Sequence, residues 1–228
     1  MTYTELDLPL GGSLYIAGSP QRAAWSLADY RMSVKALLEE ISRATGCDYG
    51  RLAHYDSGAP YLVKSDGKPL EKLQVSISHS GGYVALAIAE GPYGIGVDLQ
   101  VASDKLPQIA PRFMSSSELN YYHCLIAAEE QSMACQWLYT VWGLKEAAYK
   151  AHPLQVKRSL ATNYIISSQN AGNPTNTYNI YVDEGDSSDA DEGGASPKLL
   201  TGYLLRSITT APYHLTFVQG GSVACRGK

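Results

Sequence analysis

The chain has 228 residues, 45% of them hydrophobic and 18% charged, with a formal net charge of −4. That length buries a substantial core, as one large domain or two of about 110 residues each. The mild acidity gives no electrostatic footprint for nucleic acid, and no apolar run approaches the ~18 residues of a membrane span.

In chain order, Gly12 to Ile16 has strand character, and Ser19-Pro20 reads as a helix start with Pro at the first helical position. Gln21 to Ala44 follows a helical period, with Ala24, Leu27, Met32, Val34, Leu37, Leu38 and Ile41 recurring mostly at three- and four-residue steps. Arg22, Arg31, Lys35 and Arg43 lie along it. His54 to Leu70 is interrupted by Gly58-Ala59-Pro60 and Gly67-Lys68-Pro69, which predicts loop with at most one short strand. Three strands follow, at Val75–Ser78, Tyr83–Ile88 and Tyr93–Leu99, with Gly81-Gly82 and Gly91-Pro92 as turns, and they read as a meander.

The second half opens on helices. Ser115 three residues before Glu118 has the form of a capping start for a helix from about Ser117 to Ala128. A second helix spans Gln131 to Ala151, carrying Met133, Trp137, Leu138, Val141, Trp142, Ala148 and Tyr149, and His152-Pro153 stops it. Strands are expected at Asn163–Ile166, Thr177–Val182, Leu199–Leu205 and His214–Val218. Residues 183–196, DEGDSSDADEGGAS, hold no apolar side chain larger than Ala and are expected to form a mobile acidic loop. The order of a helix and then strands, met in both halves, predicts an α+β fold of two similar halves, 1–110 and 111–228.

The four cysteines, Cys47, Cys124, Cys135 and Cys225, show neither a CxxC pair nor Cys/His metal spacing. They read as core or partly buried thiols in a reducing cytoplasm. No basic N-terminal patch precedes an apolar run, so no secretory signal is expected.

Two segments hold the chemistry. Gly96-Val97-Asp98-Leu99-Gln100 reads as a strand ending in a carboxylate, with Gln100 on the side of Asp98. In Trp142-Gly143-Leu144-Lys145-Glu146-Ala147-Ala148-Tyr149-Lys150, a helix puts Trp142, Glu146 and Lys150 on one face and turns Lys145 about 100° away. Glu and Lys four apart form an ordinary surface pair in many helices, but the apolar neighbours here argue against an outer face. Mg²⁺ takes oxygen ligands, typically one or two carboxylates plus substrate phosphates, so Asp98 and Glu146 would suffice. Gln100 adds a carbonyl or holds a metal-bound water. Ser78-His79-Ser80-Gly81-Gly82 offers hydroxyls, an imidazole and glycines for an anion. Ser78 and His79 point to opposite faces of a strand and are poorly placed to share a proton. GxSxG, P-loop and Rossmann fingerprints are absent.

Ser76-Ile77-Ser78-His79-Ser80-Gly81, then Gly96-Val97-Asp98, then Trp142-x-x-Lys145-Glu146-x-x-x-Lys150, resembles in order and spacing the 4′-phosphopantetheinyl transferases of the Sfp type. Gly58-Ala59-Pro60-Tyr61-Leu62 and Ala28-Asp29-Tyr30-Arg31 extend the resemblance, which covers about residues 20 to 155. It implies two α+β halves packed as a pseudo-dimer with coenzyme A between them. It implies transfer of the phosphopantetheine arm from coenzyme A to a serine of an apo acyl, peptidyl or polyketide carrier protein, with Mg²⁺ and with release of adenosine 3′,5′-bisphosphate. In that frame Asp98 and Glu146, with Gln100, hold the metal, and Glu146 is also the base. Lys150 neutralises the transferring phosphate, Lys145 assists with phosphate, and His79, Ser78 and Arg31 contact coenzyme A. Glu118 matches a family acid near the metal. Many members have an acid at the position of Gln100 and a lysine at that of Ala59. A member that binds coenzyme A or a carrier without turnover, and a non-catalytic module, are the competing readings. A monomer suffices, with neither nucleic acid nor membrane as partner.

Overall fold

The computed structural model describes residues 3–18, 26–91, 93–152, 159–167, 177–182, 198–206 and 213–222. Ser19-Pro20, the acidic segment 183–196, Pro153 and Cys225 lie outside the described residues.

Four layers are stacked, helix on sheet on sheet on helix. The first sheet contains β1 (Tyr3–Asp7), β2 (Ser13–Gly18), β5 (Leu73–Ser80) and β6 (Tyr83–Glu90), in the order β1-β2-β6-β5 and antiparallel throughout. The second contains β7 (Tyr93–Gln100), β8 (Tyr164–Ser167), β9 (Thr177–Val182), β10 (Lys198–Arg206) and β11 (His214–Ser222), in the order β7-β11-β10-β9-β8. A separate hairpin joins β3 (Arg51–His54) to β4 (Pro60–Val63). Alternation along the strands sorts the layers. On β6, Val84, Leu86 and Ile88 pack with Val34, Leu37, Leu38 and Ile41 of α1 (Leu27–Thr45), while Ala85, Ala87 and Ala89 face the second sheet. On β7, Ile95, Val97 and Leu99 meet those alanines, and on β11 Leu215 and Phe217 join them. The outer face of the second sheet is covered by α4 (Gln131–Ala151), with α2 (Leu106–Ile109), α3 (Ser116–Ala127) and α5 (Leu160–Asn163) around it.

Several sequence expectations are corrected. α1 begins at Leu27, because Ser26 and Asp29 form a reciprocal capping box: the Asp29 N–H donates to Ser26 Oγ at 3.1 Å and the Ser26 N–H to Asp29 Oδ2 at 3.1 Å. Leu27 and Met32, counted into its apolar recurrence, are exposed. Within His54 to Leu70 the one short strand allowed for is β4, and what the sequence did not suggest is its partner β3, which lies just before that span, together with β1. The meander ends after β6: β7 leaves the first sheet and pairs with β11. The described cysteines, Cys47, Cys124 and Cys135, are exposed rather than buried.

What joins the sheets is unusual. β5 and β7 are edge strands of different sheets, with no backbone ladder between them. Instead the N–H groups of Val97, Leu99 and Val101 donate to the hydroxyls of Ser76, Ser78 and Ser80, at 3.0, 3.1 and 3.0 Å. The last three alternate side chains of β5 thus satisfy alternate amides at the end of the open β7 edge and just beyond it, which burial would otherwise leave unpaired at about 1–3 kcal/mol each.

Candidate active site

α4 lies unusually close to β7. A Cβ at Gly96 would collide with the Ala147 carbonyl, and one at Gly94 with that of Ala151. At the other end of the contact, a Cβ at Gly143 would press on Thr216, the β11 residue opposite Asp98. The glycine face of β7 therefore lets the helix settle backbone against backbone, and the next residue on that face is Asp98. This brings Asp98, Glu146 and Lys150 together.

Asp98 is buried. Its Oδ1 accepts from Lys150 Nζ at 3.0 Å and from Ser78 Oγ at 3.2 Å, while its buried Oδ2 has no partner. Lys150 Nζ also donates to the Val97 carbonyl at 2.9 Å. Burial raises the pKa of Glu146, the charge of Asp98 raises it further, and Lys150 opposes both. Among the described residues no hydrogen bond ties the Glu146 carboxylate. His79 packs against Tyr30 of α1, ring centroids 4.2 Å apart and planes tilted by 34°, and its pKa is lowered by burial and then by Lys150. Arg31 is the next residue after Tyr30 and is exposed on α1.

Other expected residues stand elsewhere or act otherwise. Lys145 is not in the cluster. Its ammonium, with a fully buried side chain, donates to Glu118 Oε2 at 2.6 Å and to the Phe113 carbonyl at 2.8 Å. Burial lowers its pKa, and Glu118 counteracts this. Both Glu118 oxygens are engaged in the scaffold: Oε2 also accepts from the Ser115 N–H at 2.7 Å, and Oε1 from the Ile166 N–H at 3.1 Å. This pair pins α3 and β8 to α4. Ser78 is buried and turned to Asp98 and the Leu99 amide. Gln100 lies two residues along from Asp98, its amide 3.4 Å from the Val101 carbonyl.

Sequence reasoning missed Tyr30, Thr216 and His214. Thr216 and His214 oppose Asp98 and Gln100 on β11, and Thr216 Oγ1 and both His214 ring nitrogens are buried without a hydrogen-bond partner. His214 lies flat on Tyr139, centroids 4.2 Å apart at 6°, and burial lowers its pKa to about 4. Only the strand register, invisible before folding, places them beside Asp98. A cavity of about 290 Å³ between residues 102–107 and α3–α4 is lined by none of the cluster residues.

The cluster fits a divalent cation on two grounds. A buried carboxylate oxygen lacks a partner, and burial with the charge of Asp98 raises the cost of ionising Glu146, which a cation relieves. Among the described residues no three His, Cys, Asp or Glu gather into a metal site. Oxygens from a bound phosphate would have to complete the coordination.

Residues 94–195 match the family model of the 4′-phosphopantetheinyl transferase superfamily, which indicates a transferase and supports phosphopantetheine transfer in general. The matched span contains Asp98, Glu118, Lys145, Glu146 and Lys150, and the mixed α/β fold is consistent with that superfamily. No curated protein matches the chain. Among the described residues no helix is long and apolar enough to cross a membrane.

Proposed function

We propose that this chain is an Sfp-type 4′-phosphopantetheinyl transferase that moves the phosphopantetheine arm of coenzyme A onto a serine hydroxyl of an apo carrier protein, with Mg²⁺. The observation that carries the reading is the half-satisfied cluster of Asp98, Glu146 and Lys150 inside the span that matches the superfamily. In keeping with the pseudo-dimer, one long helix lies on the outer face of each antiparallel sheet, although the second sheet borrows β7 from the first half.

The serine oxygen attacks the phosphorus on the pantetheine side of the pyrophosphate, and the bond from that phosphorus to the bridging oxygen breaks. Adenosine 3′,5′-bisphosphate leaves with the bond's electron pair. Glu146 takes the serine proton, directly or through a water; burial and Asp98 raise its proton affinity above that of an ordinary carboxylate. Lys150 sets a positive charge beside the same carboxylates, where charge on the transferring phosphate must be balanced. Asp98 and Glu146 would hold Mg²⁺, which when bound neutralises pyrophosphate charge. His79, backed by Tyr30, and Arg31 supply the end of the site that takes the 3′-phosphate of coenzyme A. Acyl, peptidyl and polyketide carriers all present a suitable serine. The reading needs neither nucleic acid nor a membrane, and one chain in the cytoplasm suffices.

The test is mass spectrometry of apo carrier proteins incubated with this protein, coenzyme A and Mg²⁺. Gain of one phosphopantetheine group, abolished by EDTA, is expected. No gain across several carriers, with coenzyme A still bound, would favour a degenerate binder, the reading that Gln100 and Ala59 support.

A further inference from the structure

Ser76, Ser78 and Ser80 look equivalent, each accepting from one β7 amide. Ser78 alone of these hydroxyls has the Asp98 carboxylate as a second neighbour, at 3.2 Å. A hydroxyl has one hydrogen and two lone pairs. The Leu99 N–H uses a lone pair, and a carboxylate only accepts, so the Ser78 hydrogen is directed at Asp98 Oδ1. Lys150 reaches the same oxygen at 3.0 Å. Rotation about the terminal bond of an Asp side chain is soft and roughly two-fold, so nothing intrinsic decides which oxygen faces which way. Here two donors converge on Oδ1, leaving Oδ2 buried and bare.

We propose that Ser78 is a positioning residue that acts through Asp98: by saturating Oδ1 it fixes the carboxylate rotation and presents Oδ2 as the oxygen that takes a divalent cation. This replaces the direct contact with coenzyme A expected for Ser78, and it rests on the metal-dependent reading above. The side chain is nearly sealed from solvent, which suits a partner of Asp98 and leaves little surface for a ligand.

The test measures Mn²⁺ binding by electron paramagnetic resonance of the full chain with coenzyme A and without carrier protein. In parallel, coenzyme A binding is measured in EDTA. Ser78→Ala is expected to weaken Mn²⁺ binding about tenfold or more, the scale for partners of metal ligands. It leaves coenzyme A affinity in EDTA unchanged. Ser76→Ala, which cuts the neighbouring serine–amide bond without touching Asp98, is expected to fall well short of the roughly tenfold loss that marks a partner of a metal ligand. Ser78→Thr, which keeps the hydroxyl, restores Mn²⁺ binding. If Ser78→Ala does not fold, Ser78→Cys takes its place, since a thiol is a weak donor of similar size and the same loss is expected. Equal Mn²⁺ affinity in the Ser78 and Ser76 variants overturns the inference, as does loss of coenzyme A binding in EDTA on Ser78→Ala. A wild-type protein that takes up no Mn²⁺ beside coenzyme A overturns the metal reading and this inference together; uptake with an unaffected Ser78→Ala overturns this inference alone.

Discussion

Two lysine–carboxylate pairs leave the same helix five residues apart and serve opposite ends. Lys145 and Glu118 expose 0% and 3% of their side chains, and both Glu118 oxygens and the ammonium are engaged. Lys150 and Asp98 expose 27% and 8%, and one Asp98 oxygen has no partner. A pair sealed from solvent and bonded to main-chain groups on three sides holds structure together. A pair left open on one side keeps binding capacity in reserve. The motif places two lysines on α4, and the contacts each meets decide which is scaffold and which faces a ligand.

The largest expected effect breaks the sealed pair. Lys145→Met strands the Glu118 charge in the core, and chemical denaturation should show a loss of about 3–5 kcal/mol. Lys150→Met also takes a partner from a buried carboxylate, but Asp98 keeps the Ser78 hydroxyl and the lysine end is part-exposed, so the loss should be smaller, about 1–3 kcal/mol. Similar losses in the two variants would erase the distinction. Next comes His214, buried and without hydrogen-bond partners. Its folded pKa of about 4 lies below the usual 6.5. The unfolded chain therefore binds the proton first, so its neutral form contributes stability above pH 6.5 that is lost as pH falls toward about 4. The full shift corresponds to roughly 3 kcal/mol, and urea titrations across that range should show the slope in the wild type and its absence in His214→Phe.

On the open side, Glu146→Gln should lower transfer at least about a hundredfold, the scale of general-base loss, while melting within a few degrees of wild type. Wild-type turnover would remove Glu146 from the chemistry. The smallest effect is the exposed Lys35–Glu39 pair at 3.8 Å. Lys35→Ala should change stability by less than about 0.5 kcal/mol, which sets the floor against which the two α4 pairs are judged.

The bounds of α4 are legible from its period and the His152-Pro153 stop, and the start of α3 from its hydroxyl–acid pair, because both depend on neighbours within a few residues. The carboxylate strand and the Glu146–Lys150 face could be read from spacing. What lay beyond reach depended on contacts between distant segments. Glu118 was recognisable as a cap, but its pairing with Lys145 spans 27 residues. The turn at Gly91-Pro92 suggested a hairpin, and β7 instead crosses to β11. A hint was present in Gly94-x-Gly96, since a strand face without side chains implies close approach by another backbone. The serines of β5 read as an anion pocket because their partners, the amides of a strand in another sheet, have no local sequence signal.

The serine–amide junction has an evolutionary consequence. Main-chain ladders survive most substitutions, since every residue except proline brings the same amide and carbonyl. The joint between β5 and β7 depends on which side chains are encoded at Ser76, Ser78 and Ser80. Single-codon changes there can loosen or retune the fit between the sheets one bond at a time. In this fold the line of contact along Asp98 is thus open to gradual inheritance in a way the ladders within each sheet are not.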